Sequence, residues 1–180
     1  MNIISIDDRI MYNKDLFLRK PCRQLEREEV LCDEFKELIH FMFSSLYENS
    51  IGVGLAAPQV GLQISLVVID IKRNGKNPIV LINPDFIPIG TEIIDSNETC
   101  LSFAGFNGAV KRYKKIKVTA KNIKFEDIEF ETDTFLSLVC QHEIDHLKGK
   151  VYIDKTNNLQ HSINRNDELA NLSINNLLNI

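Results

Sequence analysis

Leu31, Phe35, Leu38, Met42 and Leu46 recur at three- and four-residue spacing, the period of a helix with one apolar stripe. The pattern predicts a helix over residues 28–49, ended by the glycines of "ENSIGVG" (48–54). The period then shortens. "ISLVVIDI" (64–71) is short, β-branched and apolar, as a buried strand is, and "PIVLINP" (78–84) is a second strand bounded by prolines. "TEIID" (91–95), "KIKVTAKN" (115–122) and "EDIEFET" (126–132) alternate apolar and polar residues, the mark of antiparallel strands with one wet face. "DTFLSLVCQHEIDHLKGK" (133–150) returns to a helical pattern, with Asp133 as its expected N-cap. The last segment, "NRNDELANLSINNLLNI" (164–180), is a further helix or a frayed end. The expected fold is a single α+β domain, antiparallel strands packed around the 133–150 helix, over residues 1–160, followed by a tail at 161–180.

Composition narrows the function classes. A chain of 180 residues is long enough for a sizeable core, and 44% hydrophobic with 26% charged residues is ordinary for a globular domain. The formal net charge of −4 argues against a protein that reads nucleic-acid phosphates through a basic face. The densest basic cluster, "KRYKK" (111–115), is expected to be a solvated strand edge. No apolar run approaches the roughly 18 residues of a membrane span, and "MNIISIDDRI" lacks the basic start of a secretory signal. Four cysteines without framework spacing fit reduced thiols in the cytoplasm.

The chemistry is concentrated in "CQHEIDHLKG" (140–149). Residues i and i+4 of a helix lie about 40° apart around its axis, so His142 and His146 share a face and can share a cation. Glu143 lies about 100° from His142, near such an ion without pointing straight at it, where a base acting on bound water belongs. The apolar "FLSLVC" just before implies a buried helix, on which two imidazoles and two carboxylates need partners. Two histidines do not fix a metal. The x-x-G-x-x-H continuation of one zinc-peptidase pattern fails, because Gly149 is present but Tyr152 stands at the histidine position. Glu168, in "NDELAN", could serve as a downstream glutamate ligand; Cys100, in "SNETCLSF", could serve as a thiolate. Cys140 faces another side of the helix, about 200° from His142, and Cys22 and Cys32 have no ligand spacing. Spacing alone leaves Cys100 and Glu168 both open.

Three separated segments, "GVGLAAPQ" (52–59), "ETCLS" (98–102) and "QHEIDH" (141–146), resemble the peptide deformylase family in order and approximate separation. The resemblance covers roughly residues 10–155 and makes the domain a deformylase-like catalytic unit. It implies that Cys100, His142 and His146 hold one divalent cation with water in the fourth place, the open arrangement of a catalytic site. Fe²⁺ is the expected ion in the cell, with Zn²⁺ or Ni²⁺ as substitutes. Water on such a cation ionises near neutral pH, and hydroxide would attack the formyl carbon of an N-formylmethionyl peptide, with Glu143 as general base and then acid. Gln59 and the backbone N–H of Leu101 would stabilise the charge that builds on the formyl oxygen. Gly52, Val53 and Gly54 would lie along the extended substrate, and Val53, Phe135, Leu138 and Val139 would line the methionine pocket. Glu98 and Arg112 would brace the metal loop as an ion pair, with Asp145 supporting them. Expected partners are the formylated peptide and the ribosome, with no specific nucleic acid and no membrane.

The chain departs from the family's E-G-C-L-S at Thr99, where a β-branched residue is strained if the backbone needs positive φ. "FAGFNG" (103–108) stands where a proline is usual after L-S, and Thr134 and Phe135 replace small and leucine-like residues. The competing functions are a non-catalytic relative that binds metal and peptide, suggested by Thr99, and a zinc peptidase using Glu168.

Overall fold

The computed structural model describes residues 16–48 and 50–161. A one-turn helix, α1 (Arg27–Val30), precedes α2 (Asp33–Glu48) and β1 (Gly54–Ala56). Strands β2 (Leu66–Ile69), β3 (Ile79–Pro88), β4 (Ile93–Glu98), β5 (Phe106–Tyr113), β6 (Ile116–Lys121) and β7 (Asp127–Thr132) follow, then α3 (Phe135–Leu147) and β8 (Leu159–His161). β1, β2, β3, β6 and β7 form one antiparallel sheet in that order; β4, β5 and β8 form a second. The expected α+β architecture around the histidine helix is the one observed. Glu168 and the predicted tail helix fall outside the described residues. Among the described residues no helix is long and apolar enough to cross a membrane.

α3 is the hub. It packs on β1, β2, β3 and β5, and its Val139, Cys140, Ile144 and Leu147 join Val67, Ile69, Leu81 and Val118 in one apolar cluster. Fully burying an aliphatic side chain contributes about 1.5–3 kcal/mol, so Cys140, Ile144 and Leu147, on the side away from the histidines, anchor the helix, while Val139 lies on the histidine side. Thr134, not Asp133, caps it: the Thr134 hydroxyl accepts from Leu136 N at 3.3 Å, while Asp133 is exposed. At the other end Gly149 has φ +68° and its N–H donates to the His146 carbonyl. A Cβ there would sit 2.5 Å from the Arg19 carbonyl oxygen, so dihedral and space both demand glycine.

The long predicted helix is in fact two. Its stripe is broken at Leu31, which is 48% exposed, because α1 ends at Val30 and α2 restarts at Asp33. Phe35, Met42 and Leu46 keep the buried face, packed against Leu55, Leu66 and Val68. The 91–95 strand begins later and runs to Glu98, delivering the chain to Cys100. The outer strand β7 exposes Asp127, Glu129 and Glu131, which pair with Lys121, Lys117 and Lys115. The basic cluster is likewise answered, Lys111 by Asp95 and Lys114 by Glu92, whereas its Arg112 is buried.

Candidate active site

Each segment of the site is brought in by a different element. α3 projects His142 and His146 from one face, with ring centroids 5.0 Å apart. β4 alternates inward at Ser96 and Glu98, and Cys100 follows in extended conformation (φ −139°, ψ 140°) before the 3₁₀ turn Leu101–Phe103. Cys100 Sγ lies 3.2 Å from His146 Nε2. Donor atoms of Cys100, His142 and His146 all lie within 4.8 Å of one another. Ligand atoms around a tetrahedral ion with bonds of about 2.0–2.3 Å stand roughly 3.3–3.6 Å apart. The sulfur–nitrogen separation is close to that, and a thiolate with two imidazoles is a donor set for a transition metal. These residues therefore fit a metal ion.

A buried charge network holds the donors. Arg112 Nε and Nη2 donate to the two Glu98 oxygens at 2.6 and 2.8 Å, and His142 Nδ1 meets Glu98 Oε2 at 2.8 Å. The other arm of Arg112 bonds Asp145, which also receives Lys155. Arg112 is 3% exposed, Glu98 7% and Asp145 5%. With Nδ1 committed to Glu98, His142 turns Nε2 towards the donor cluster. Burial pushes the Glu98 carboxyl up, but Arg112 and His142 outweigh it and bring it down to about 2. Burial also works against charge on His142, yet its bonds to Cys100 and Glu98 raise it well above the usual imidazole range. The depressed carboxyl reports the positive charge of Arg112 and His142 around Glu98, and the raised imidazole reports the negative charge of Glu98 and Cys100 around His142. Burial, then the positive charges of His142 and Arg112, hold His146 well below that range, in the neutral form that ligates.

Glu143 lies 5% exposed beside this cluster, with Oε2 lacking a partner among the described residues. Burial pushes its carboxyl up to about 7, against the lowering effect of His142. Gln59 Oε1 accepts from Ala56 N at 2.8 Å, which aims Nε2 at Cys100 Sγ (3.4 Å) and Ser102 Oγ (3.2 Å). Gly52 and Gly54 are used for space. A Cβ on Gly52 would lie 2.8 Å from Leu101 Cδ1, and one on Gly54 2.6 Å from Glu143 Oε1.

A cavity opens over these groups. Gly52, Val53, Gly54, Leu101, Phe135, Leu138 and Val139 all line it, as do Gln59, Glu98, Cys100, His142 and Glu143. Thr99 stands exposed at its wall and is not among the residues with positive φ, so the strain that its β-branch would cause there is absent. Ile51, Ser96 and Asn97 also line the cavity and were not expected. Period-two alternation outward from Glu98 was the available signal for Ser96. Gln141 was missed as well: its amide exchanges bonds with the Tyr113 backbone (3.0 and 2.8 Å) and ties α3 to the end of β5. Tyr152 packs its ring 5.9 Å from that of His142 and offers no ligand nitrogen.

The sequence profile of the polypeptide deformylase family matches residues 7–162. Peptide deformylase 3 of Shewanella oneidensis is 36% identical over 163 residues, covering 91% of this chain and 93% of that protein. The peptide deformylase of Aquifex aeolicus is 40% identical over 153 residues, covering 83% and 87%. The crystal structure of peptide deformylase from Thermotoga maritima superposes with a TM-score of 0.73 at 35% identity, covering 83% of this chain and 97% of that one. Sequence, fold and a Cys/His/His donor set in one cavity thus agree, and the chain belongs to the peptide deformylase family, metal-dependent hydrolases that deformylate nascent peptides.

Proposed function

We propose that this chain removes the formyl group from the initiator methionine of new polypeptides, using one divalent cation held by Cys100, His142 and His146. One observation carries the assignment of roles: the buried Glu143 carboxyl, its Oε2 without a partner among the described residues, stands beside the three donors at the cavity wall. A cation held there lowers the pKa of the water it binds and polarises the formyl oxygen. Glu143 takes the proton of the attacking water on its carboxylate and passes it to the leaving nitrogen as the C–N bond breaks, releasing formate. Gln59 Nε2, fixed by the bond from Ala56, and the Leu101 N–H would donate to the oxygen on which charge builds. Glu98 orients His142, and Arg112 with Asp145 holds Glu98.

β1 is the outer strand of its sheet, and an extended peptide would add beside it at Gly54, with Gly52 and Val53 leading into that strand. Val53, Phe135, Leu138 and Val139 supply the apolar wall for methionine. The soft thiolate suits Fe²⁺ in the cell, with Zn²⁺ or Ni²⁺ as substitutes. All four cysteines are free, in keeping with a reducing cytoplasm, where nascent chains on the ribosome are the substrate. Thr99 removes no donor atom and no base, which favours an enzyme over a non-catalytic relative.

Anaerobically purified protein is expected to release formate from formyl-Met-Ala-Ser with about one ion per chain, measured on the same sample. Cys100→Ala should lose ion and activity, and Glu168→Ala should keep both. A fully loaded sample that releases no formate would sink the hydrolase assignment. Ion loss only in Glu168→Ala would move the third ligand to the tail. Gly54→Ala offers a geometric check: its methyl must displace Glu143, and a shift of about 1 Å in a catalytic group costs on the order of 10²-fold in rate. Turnover should fall by that order with ion content unchanged; wild-type turnover would mean that Glu143 tolerates the move.

A further inference from the structure

We propose that Arg73 is a positioning residue for peptide binding: from outside the cavity it clamps the Gly52 carbonyl to the end of α2 and so presets the strand edge that receives substrate. Resting on the function proposed above, it adds a residue remote from the three motifs.

α2 has no basic residue in its last turn, where a cation best complements the carbonyls of a helix C-terminus. Arg73, in the loop between β2 and β3, supplies the cation. Nη1 donates to the Gly52 carbonyl and, at 3.4 Å, to that of Leu46; Nη2 donates to that of Tyr47 at 3.4 Å. The guanidinium also stands 5.9 Å from the Tyr47 ring centroid. One planar fork therefore joins the last turn of α2 to the first residue of the glycine segment, across the turn that separates them.

The loop is built to aim this side chain. Arg73 itself has φ +50°, a left-handed conformation that costs a non-glycine residue energy and persists only where its surroundings enforce it. Asp70 enforces it. Its carboxylate, 2% exposed, accepts from Gly75 N at 2.8 Å and from the Tyr47 hydroxyl at 2.7 Å, and its carbonyl accepts from Arg73 N at 3.2 Å. Asp70 N in turn donates to the Val53 carbonyl at 2.8 Å. Two successive carbonyls, Gly52 and Val53, are thus held from the same loop, immediately before Gly54. Neither Arg73 nor Asp70 lines the cavity. Their effect on a bound peptide is to remove the disorder that the segment would otherwise lose on binding.

Arg73→Met is expected to raise KM for formyl-Met-Ala-Ser about tenfold, with kcat within about twofold and ion content unchanged. Amides of residues 50–54 should exchange faster with deuterium in the loaded, substrate-free protein. Arg73→Lys keeps a cation at the helix end but lacks the fork; it should hold wild-type Tm yet show intermediate KM, and it carries the test alone if the methionine variant does not fold. Unchanged KM, or a fall in kcat at constant KM, overturns the proposal, as does a lower Tm with both constants unmoved. If the wild type releases no formate, the function assignment has failed separately. Exchange at 50–54 then decides the clamp: faster in the variant supports it, unchanged refutes it.

Discussion

Glu143→Gln, fully loaded with metal, should lower kcat by about 10²–10⁴-fold while ion content and Tm stay near wild type. Glutamine keeps the shape of the side chain and lacks only the ability to take a proton. The carboxyl it replaces is 5% exposed, with one oxygen unpartnered among the described residues, so little structural bonding is lost. Burial raises this carboxyl to about 7. Its protonated form cannot act as a base, so activity falls as pH drops through its pKa, and a bound cation moves that limb to lower pH. The acid limb of kcat/KM should therefore lie at or below about pH 7. Turnover by Glu143→Gln within tenfold of wild type would assign the base elsewhere.

Arg112→Met should be the most damaging substitution that touches neither ligand nor base. It leaves Glu98 and Asp145 buried without their shared cation, a loss of about 3–5 kcal/mol for a broken buried pair. In a domain of this size that lowers Tm by on the order of 10 °C. The neighbouring strand position is the control: Lys111 pairs with Asp95 in solvent, with side chains 72% and 64% exposed. Lys111→Met should cost no more than about 1 kcal/mol. Glu98 gives the same network a pH signature. Its folded pKa is depressed to about 2, so its stabilisation is complete above the usual carboxylate range and is lost as pH falls towards that value. Thermal melts from pH 6 down to pH 2 should show Arg112→Met losing less with acid than wild type. Equal acid sensitivity would show that Arg112 does not set the Glu98 charge.

What the chain discloses in one dimension divides along the range of its contacts. His142, Glu143 and His146 were legible because one helical turn places them, and the alternating strands because their two faces differ in solvent. β1 was not: "GLA" is buried at every position, so no alternation marks it. β5 was hidden by Arg112, a charged residue that faces inward because Glu98 and Asp145 wait for it. The meeting of Cys100 with His146 spans 46 residues and no spacing rule reaches across it. Family resemblance supplied that contact, whereas the Arg73 clamp, which leans on backbone carbonyls, left no side-chain pattern to find. The predicted N-cap slipped by one residue for a smaller reason, since Asp133 and Thr134 are both good caps and only the turn geometry chooses.

The acids along β7 matter beyond the pairs they make. Each Lys–carboxylate contact there is solvent-exposed, weak and readily screened by salt. Their larger consequence is negative: the β7 of a second copy cannot pair along this one without bringing like charges together, so β7-to-β7 stacking is disfavoured. That protection is electrostatic, and concentrated salt would weaken it even where the fold itself is unharmed.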